Sequence, residues 1–327
     1  MRMILMRLST GLAALSTLAL LTTGCSAFSD GGTDDGTTRV VAAFYPLAYV
    51  SERITEGTGA EVTLLTQPGK EPHDLELTVK ESAALAEADL VVFESDFQPA
   101  VDDAIDQNAS GATVDAAEVV DLVPVEESAA EHDEHTDGHT DEHTGEDEHG
   151  HEHDHGDVDP HFWQDPLRVA DLADAVAEEL AELDADHADA YRSNAADLRA
   201  ELVALDEEYV AGLRDCARDT IVVSHDAFGY LEKYGLHVAS IVGLSPDAEP
   251  TAAALGELQE LIREEGITTV FSEPLEPALG EGLAHDLGLT NGTLDPIEGL
   301  GSADATADYL SIMADNLDAL VAANGCR

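Results

Sequence analysis

Positive charge is what this chain has least of. Its 327 residues carry 14 Lys and Arg against 69 Asp and Glu, a formal net charge of −55. Nucleic acid and anionic membrane surfaces would be repelled by such a field, so neither is expected as a direct partner, whereas cations are. Acidity alone also suits a salt-tolerant secreted protein, so it does not specify a metal. Catalytic signatures are missing too: there is no HExxH, no nucleophile elbow and no obvious Ser-His-Asp set. No apolar run reaches the length of a comfortable membrane span. The longest, residues 8–21, follows Arg2 and Arg7 and ends in small residues at Gly24-Cys25, the pattern of a secretion signal.

Cysteine is scarce, with three in the chain, and each has a reading. LLTTGCS resembles a bacterial lipobox, with Thr22 where Leu is commoner, so Cys25 is expected to be the lipidated first residue of the mature protein. Signal-peptidase cleavage without a lipid is the alternative. Residues 1–24 are then a signal peptide and 25–38 a polar Gly/Thr/Asp tether. The remaining pair, Cys216 and Cys326, suggests a disulfide in an exported protein, or else two buried thiols.

What the chain does have is histidine in one place. Residues 126–157 hold eight histidines (His132, His135, His139, His143, His149, His151, His153 and His155) and fourteen acids, with no Lys, Arg or large apolar residue. Such a segment buries too little apolar surface to offset the entropy of ordering, and a disordered, solvated loop is expected. Imidazole is the commonest protein ligand for transition metals, so the tract points to a divalent cation, where a plain spacer would not need imidazoles.

On either side of the tract, short apolar strands alternate with amphipathic helices. Strands are predicted at 39–44, 61–66 and 89–93, then at 220–224, 237–242, 268–271 and 290–294; helices are predicted at 227–234, 250–265, 277–287 and 303–323. Between the two sets lies one long helix, 188–213, whose apolar positions Tyr191, Ala195, Leu198, Leu202, Leu205, Tyr209 and Leu213 form a continuous stripe. The predicted fold is α/β: two lobes of parallel-rich sheet with flanking helices, joined by one rigid helix. The boundaries are an N-terminal lobe at 39–186, a linking helix at 187–215 and a C-terminal lobe at 216–327.

In open α/β sheets, ligands bind beyond the carboxyl ends of strands. Four metal-competent side chains fall at such places: His73 in QPGKEPHDLE, His161 in DVDPHFWQDP, His225 directly after Ile221-Val222-Val223-Ser224, and Asp295 in TLDPIEG. Converging in the cleft they would supply three nitrogens and one oxygen, a set that suits zinc. Asp295 is the weakest of the four, since Asp before Pro is common turn chemistry. Glu71, Asp226 and Glu273 are better placed to orient imidazoles than to ligate. His187, His237 and His285 are assigned to helix surface or core.

PGKEPHDLE, DPHFWQDP, VSHDAFGYLEKYGL and TLDPIEG resemble, in order and spacing, the motifs of the zinc- and manganese-binding solute receptors of ABC importers, the ZnuA/TroA type. The resemblance covers essentially 39–327. It implies two α/β lobes joined by a long helix, with His73, His161 and His225 as ligands and a fourth position, matched by Asp295, filled by a carboxylate or by water. Zinc members often carry a His-rich acidic loop before the second ligand; manganese members typically lack it, and many place a carboxylate at the third position. Some zinc members use a Glu immediately before the first His, where this chain has Pro72. The resemblance therefore implies a monomeric, lipid-anchored, extracytoplasmic receptor that delivers Zn2+ to an ABC permease and catalyses nothing. A manganese receptor of the same family, a secreted zinc hydrolase and a surface adhesin are the alternatives.

Overall fold

Short β-branched runs separated by amphipathic segments bury both faces of a strand only when helices cover both sides of a parallel sheet. The computed structural model, which describes residues 37–125, 158–302 and 306–327, builds that arrangement twice. The first half comprises β1 (Arg39–Ala42), α1 (Tyr45–Thr55), β2 (Glu61–Leu64), α2 (Val79–Glu87), β3 (Leu90–Phe93), α3 (Pro99–Asn108), β4 (Ala112–Asp115) and the single-turn α4 (Ala116–Val119). Its sheet is parallel throughout, in the order β2-β1-β3-β4. A small antiparallel pair, β5 (Val123–Pro124) with β6 (Val158–Asp159), joins the residues flanking the histidine-rich interval. The signal segment, Cys25 and the eight histidines of 126–157 lie outside the described residues.

Helices α5 (Pro166–Leu183) and α6 (Ala188–Leu213) follow, packed on each other. The second half comprises β7 (Thr220–Val223), β8 (His237–Ser240), α7 (Ala252–Glu265), β9 (Thr269–Ser272), α8 (Ala278–Leu287), β10 (Thr290–Thr293) and α9 (Tyr309–Asn324), with a parallel sheet in the order β10-β9-β7-β8. The helix predicted at 227–234 is a 3₁₀ segment, Gly229–Tyr234, and the last helix begins at Tyr309, where Asp308 and Ser311 form a capping box.

The buried residues of α6 are Tyr191, Ala195, Leu198, Leu202, Leu205, Tyr209 and Leu213, the stripe read from the sequence. At about 1.5 Å per residue the helix is a rod of roughly 40 Å. It packs against α1 and α5 of the first half and α9 of the second, and its buried stripe lies in one apolar core that draws on both halves. Just beyond it Cys216 is joined to Cys326 by a disulfide. Among the described residues no helix is long and apolar enough to cross a membrane.

Candidate metal centre

Three strand ends and one turn deliver the side chains. The chain leaving β2 turns at Pro68-Gly69, where Gly69 takes φ +78° and its N–H donates to the Leu300 carbonyl of the other lobe at 2.6 Å. His73 follows, its main-chain N–H donating to Glu71 Oε1 at 3.1 Å and its ring edge against Phe97 at 4.6 Å. Gln98 fixes this loop by donating to the Pro72 carbonyl and to Thr66 Oγ1. His161 comes two residues after Asp159, and one oxygen of that Asp accepts both the His161 main-chain N–H (2.9 Å) and Nδ1–H (2.8 Å). His225, just past β7, repeats the device with Glu273 at the end of β9, at 3.1 Å from N and 2.7 Å from Nδ1.

With Nδ1 committed to a carboxylate, His161 and His225 both present Nε2 to a common point. The fourth group there is Glu298: its Oε1 lies 2.9 Å from His225 Nε2, 3.2 Å from His161 Nε2 and 3.5 Å from His73 Nε2. One ligand atom from each of His73, His161, His225 and Glu298 lies within 4.8 Å of the others, and all four residues are buried between the lobes. Three imidazole nitrogens and one carboxylate oxygen at this spacing fit a four-coordinate divalent cation.

Burial alone would disfavour every charge here. It pushes His161 down, but the hydrogen bonds to Asp159 and Glu298 outweigh it and raise the ring to about 9. His225 is also held well above the ordinary imidazole value, against burial, by Glu298 and Glu273. For His73 burial wins and its pKa is lowered. Glu298, which burial would raise, is held well below the usual carboxylate range, chiefly by the His225 and His73 rings.

Asp295, expected as the fourth donor, stands outside this group. Its Oδ1 accepts the Ile297 N–H at 2.8 Å, and its main chain exchanges two hydrogen bonds with Asn316. Its carboxylate is engaged in shaping the turn, and burial raises its pKa to about 6. Glu298, three residues on in the same TLDPIEG motif, reaches the centre instead; the acid after the turn was the missed residue. Asp159 was missed as well, although it sits beside the recognised DPH. Glu273 occupies the orienting position expected of it, Glu71 serves the His73 main chain, and Asp226 donates its own N–H to the Gly243 carbonyl. His187, His237 and His285 are exposed and are not among the clustered donors.

The family model for the zinc-uptake complex component A, periplasmic (ZnuA), matches residues 40–323. The high-affinity zinc uptake system protein ZnuA of Bacillus subtilis is 32% identical over 321 residues, covering 95% of this chain and 96% of that protein. The zinc-binding lipoprotein AdcA of Streptococcus pneumoniae is 33% identical over 294 residues, covering 88% of this chain; the chain spans only 56% of AdcA. A crystal structure of Zn(II)-bound AdcA superimposes with a TM-score of 0.70 at 30% identity, over 88% of this chain and 58% of that one. The laminin-binding protein of Streptococcus agalactiae, described as bifunctional with adhesin and metal-transporting activity, gives a TM-score of 0.72 at 27% identity over 88% and 99% of the two chains.

Proposed function

Because the chain belongs to the family of the zinc-uptake complex component A, we propose that it is a lipid-anchored, extracytoplasmic receptor that captures Zn2+ and delivers it to an ABC permease. The observation that carries this reading is the convergence of His73, His161, His225 and Glu298 on one buried point. Three nitrogens and one oxygen suit zinc better than manganese, which takes oxygen-rich sets. Four protein donors would fill the four positions usual for a closed zinc site, which would leave none for a reactive water, so hydrolysis is not expected. Its work is ligand exchange with a modest movement of the lobes. Cys25 anchors the chain to the membrane, and the eight histidines of 126–157 act as weaker accessory sites that gather the ion.

Metal analysis with zinc/manganese competition, on the full protein and on one lacking 126–157, tests this. Deletion should lower zinc stoichiometry and leave one tight, zinc-preferring site. Absence of a tight site in the deletion protein would place the receptor in the tract; manganese preference would make it the manganese member. Likeness to the streptococcal laminin-binding protein supports surface attachment as a second reading, separated by binding of metal-stripped protein to immobilised laminin.

A further inference from the structure

Behind the four donors, one peptide group of the second lobe takes two hydrogen bonds from the first. The Pro296 carbonyl oxygen accepts two buried hydrogen bonds, from Trp163 Nε1 at 2.7 Å and Gln164 Nε2 at 2.6 Å. Both donors follow His161 almost directly in sequence, and the acceptor lies two residues before Glu298. The other end of the same peptide, the Ile297 N–H, is held by Asp295 Oδ1. The orientation of the 296–297 peptide is therefore fixed at its oxygen from one lobe and at its hydrogen from the other.

That peptide has to be held. Ile297 takes φ +64°, a left-handed conformation that a β-branched residue adopts only when its surroundings impose it. Rotation of the peptide back toward an ordinary φ would swing Glu298 away from the three Nε2 atoms. The donor side is rigid by contrast. The Trp163 ring packs edge-on against Phe44, Phe97 and His161, and the Trp163 carbonyl accepts the Tyr309 hydroxyl at 2.6 Å. Gln164 is fully buried, and its Oε1 has no hydrogen-bond partner among the described residues. A buried amide with an unpaired oxygen is unfavourable where a Met of similar shape would fit. Its side chain's one hydrogen bond there is the one to Pro296.

We infer that Trp163 and Gln164 are positioning residues for Glu298, and that through the Pro296 carbonyl they set how long the ion is retained. Movement of the lobes that draws the two donors off this carbonyl frees the strained turn, and Glu298 leaves the ion first. Lobe movement is thereby coupled to loss of one specific donor. This rests on Glu298 being a metal ligand, as proposed above.

The test compares wild type, Gln164→Met and Trp163→Phe, each alone and combined with Glu298→Ala. Zinc dissociation into excess chelator is followed by stopped flow, and the visible bands of the Co2+-loaded proteins report coordination. Wild type releasing zinc as fast as Glu298→Ala would fault the ligand assignment itself and not the positioning. With wild type slow, each single variant should release zinc about tenfold faster, the loss of roughly one buried hydrogen bond. Its cobalt bands should shift toward those of Glu298→Ala, and neither change should add to Glu298→Ala, since the coupling passes through that residue. Far-UV circular dichroism checks folding, and Trp163→Phe, which keeps an aromatic ring but not the indole N–H, stands in if Gln164→Met does not fold. Wild-type rates and spectra in the folded single variants, or an undiminished effect on top of Glu298→Ala, would overturn the inference.

Discussion

The four donors differ in the protons they hold before metal arrives. At pH 7 Glu298 is ionised and His73, lowered by burial, is neutral, while His161, raised to about 9, and His225, also raised, are protonated. Zinc needs the Nε2 lone pairs, so binding should expel about two protons at neutral pH. A raised pKa keeps its proton until the pH passes it. Apparent zinc affinity should therefore keep climbing from pH 6 to about 9, where free imidazoles would level off near 6.5. Calorimetry in buffers of different ionisation enthalpy counts the protons, and no release at pH 7 contradicts this picture. Which acid touches the ion is a separate question at the same scale. Asp295→Asn keeps an oxygen to accept the Ile297 N–H and should leave zinc affinity within about threefold of wild type. Glu298→Gln removes the charge beside three imidazoles and should cost more than the roughly 10–100-fold typical of an outer partner. A competition titration giving the reverse order would restore Asp295 as the ligand.

One local device recurs along the elements that build the centre: an acid, a proline, and a third residue whose N–H the acid accepts. Glu71 does this for His73, Asp159 for His161, Asp165 for Leu167 and Asp295 for Ile297. The proline fixes φ and offers no competing N–H, so the carboxylate reaches two residues on. Because that oxygen is occupied, the acid of such a triplet is a poor candidate for ligand, which argues against Asp295 in TLDPIEG without by itself identifying Glu298. The strands, the α6 stripe and the three histidines were legible because each rests on local periodicity or on a residue at a strand end. The fourth donor was not, because its position depends on Ile297 holding φ +64° and on Gln164, 132 residues away, meeting Pro296. No local pattern encodes that meeting. In the Asp159 triplet the same oxygen also takes the His161 Nδ1–H. Asp159→Asn keeps an acceptor but removes the charge, and Glu273→Gln does the same for His225. Each should weaken zinc binding about 10–100-fold with the secondary structure intact; unchanged affinity in both would mean that the ring orientation is set by packing alone.

Across the whole molecule, α6 and α9 tie the two lobes together and the disulfide closes the second. The Tyr209 hydroxyl of α6 donates to the Met313 carbonyl of α9 at 2.7 Å, and Arg218 reaches the Ala323 carbonyl at 2.6 Å. Cys216 and Cys326 lie beyond these two helices and are separated by 110 residues, so their bond spans nearly the entire second lobe. Closing a loop of this length restricts the unfolded chain by up to about 4.7 kcal/mol in the entropic account, with about 2–4 kcal/mol the usual yield. None of His73, His161, His225 and Glu298 leans on either cysteine: Glu273, Asp159, Gln98 and the Pro296 carbonyl hold the donor loops from inside the cleft. Stability and metal affinity should therefore separate. Cys216→Ser with Cys326→Ser should lower the thermal midpoint of the metal-free protein by about 5–10 °C, while zinc affinity at 25 °C stays within about threefold of wild type, the size of a surface-scale perturbation. The comparison has to use metal-free protein, because bound zinc stabilises the fold by mass action and would mask the difference. An unchanged midpoint would show that the bridge contributes nothing to stability. A large loss of affinity in a protein still folded would show instead that the bridge sets the seating of His225 and Glu298, by fixing the C-terminal lobe against α6.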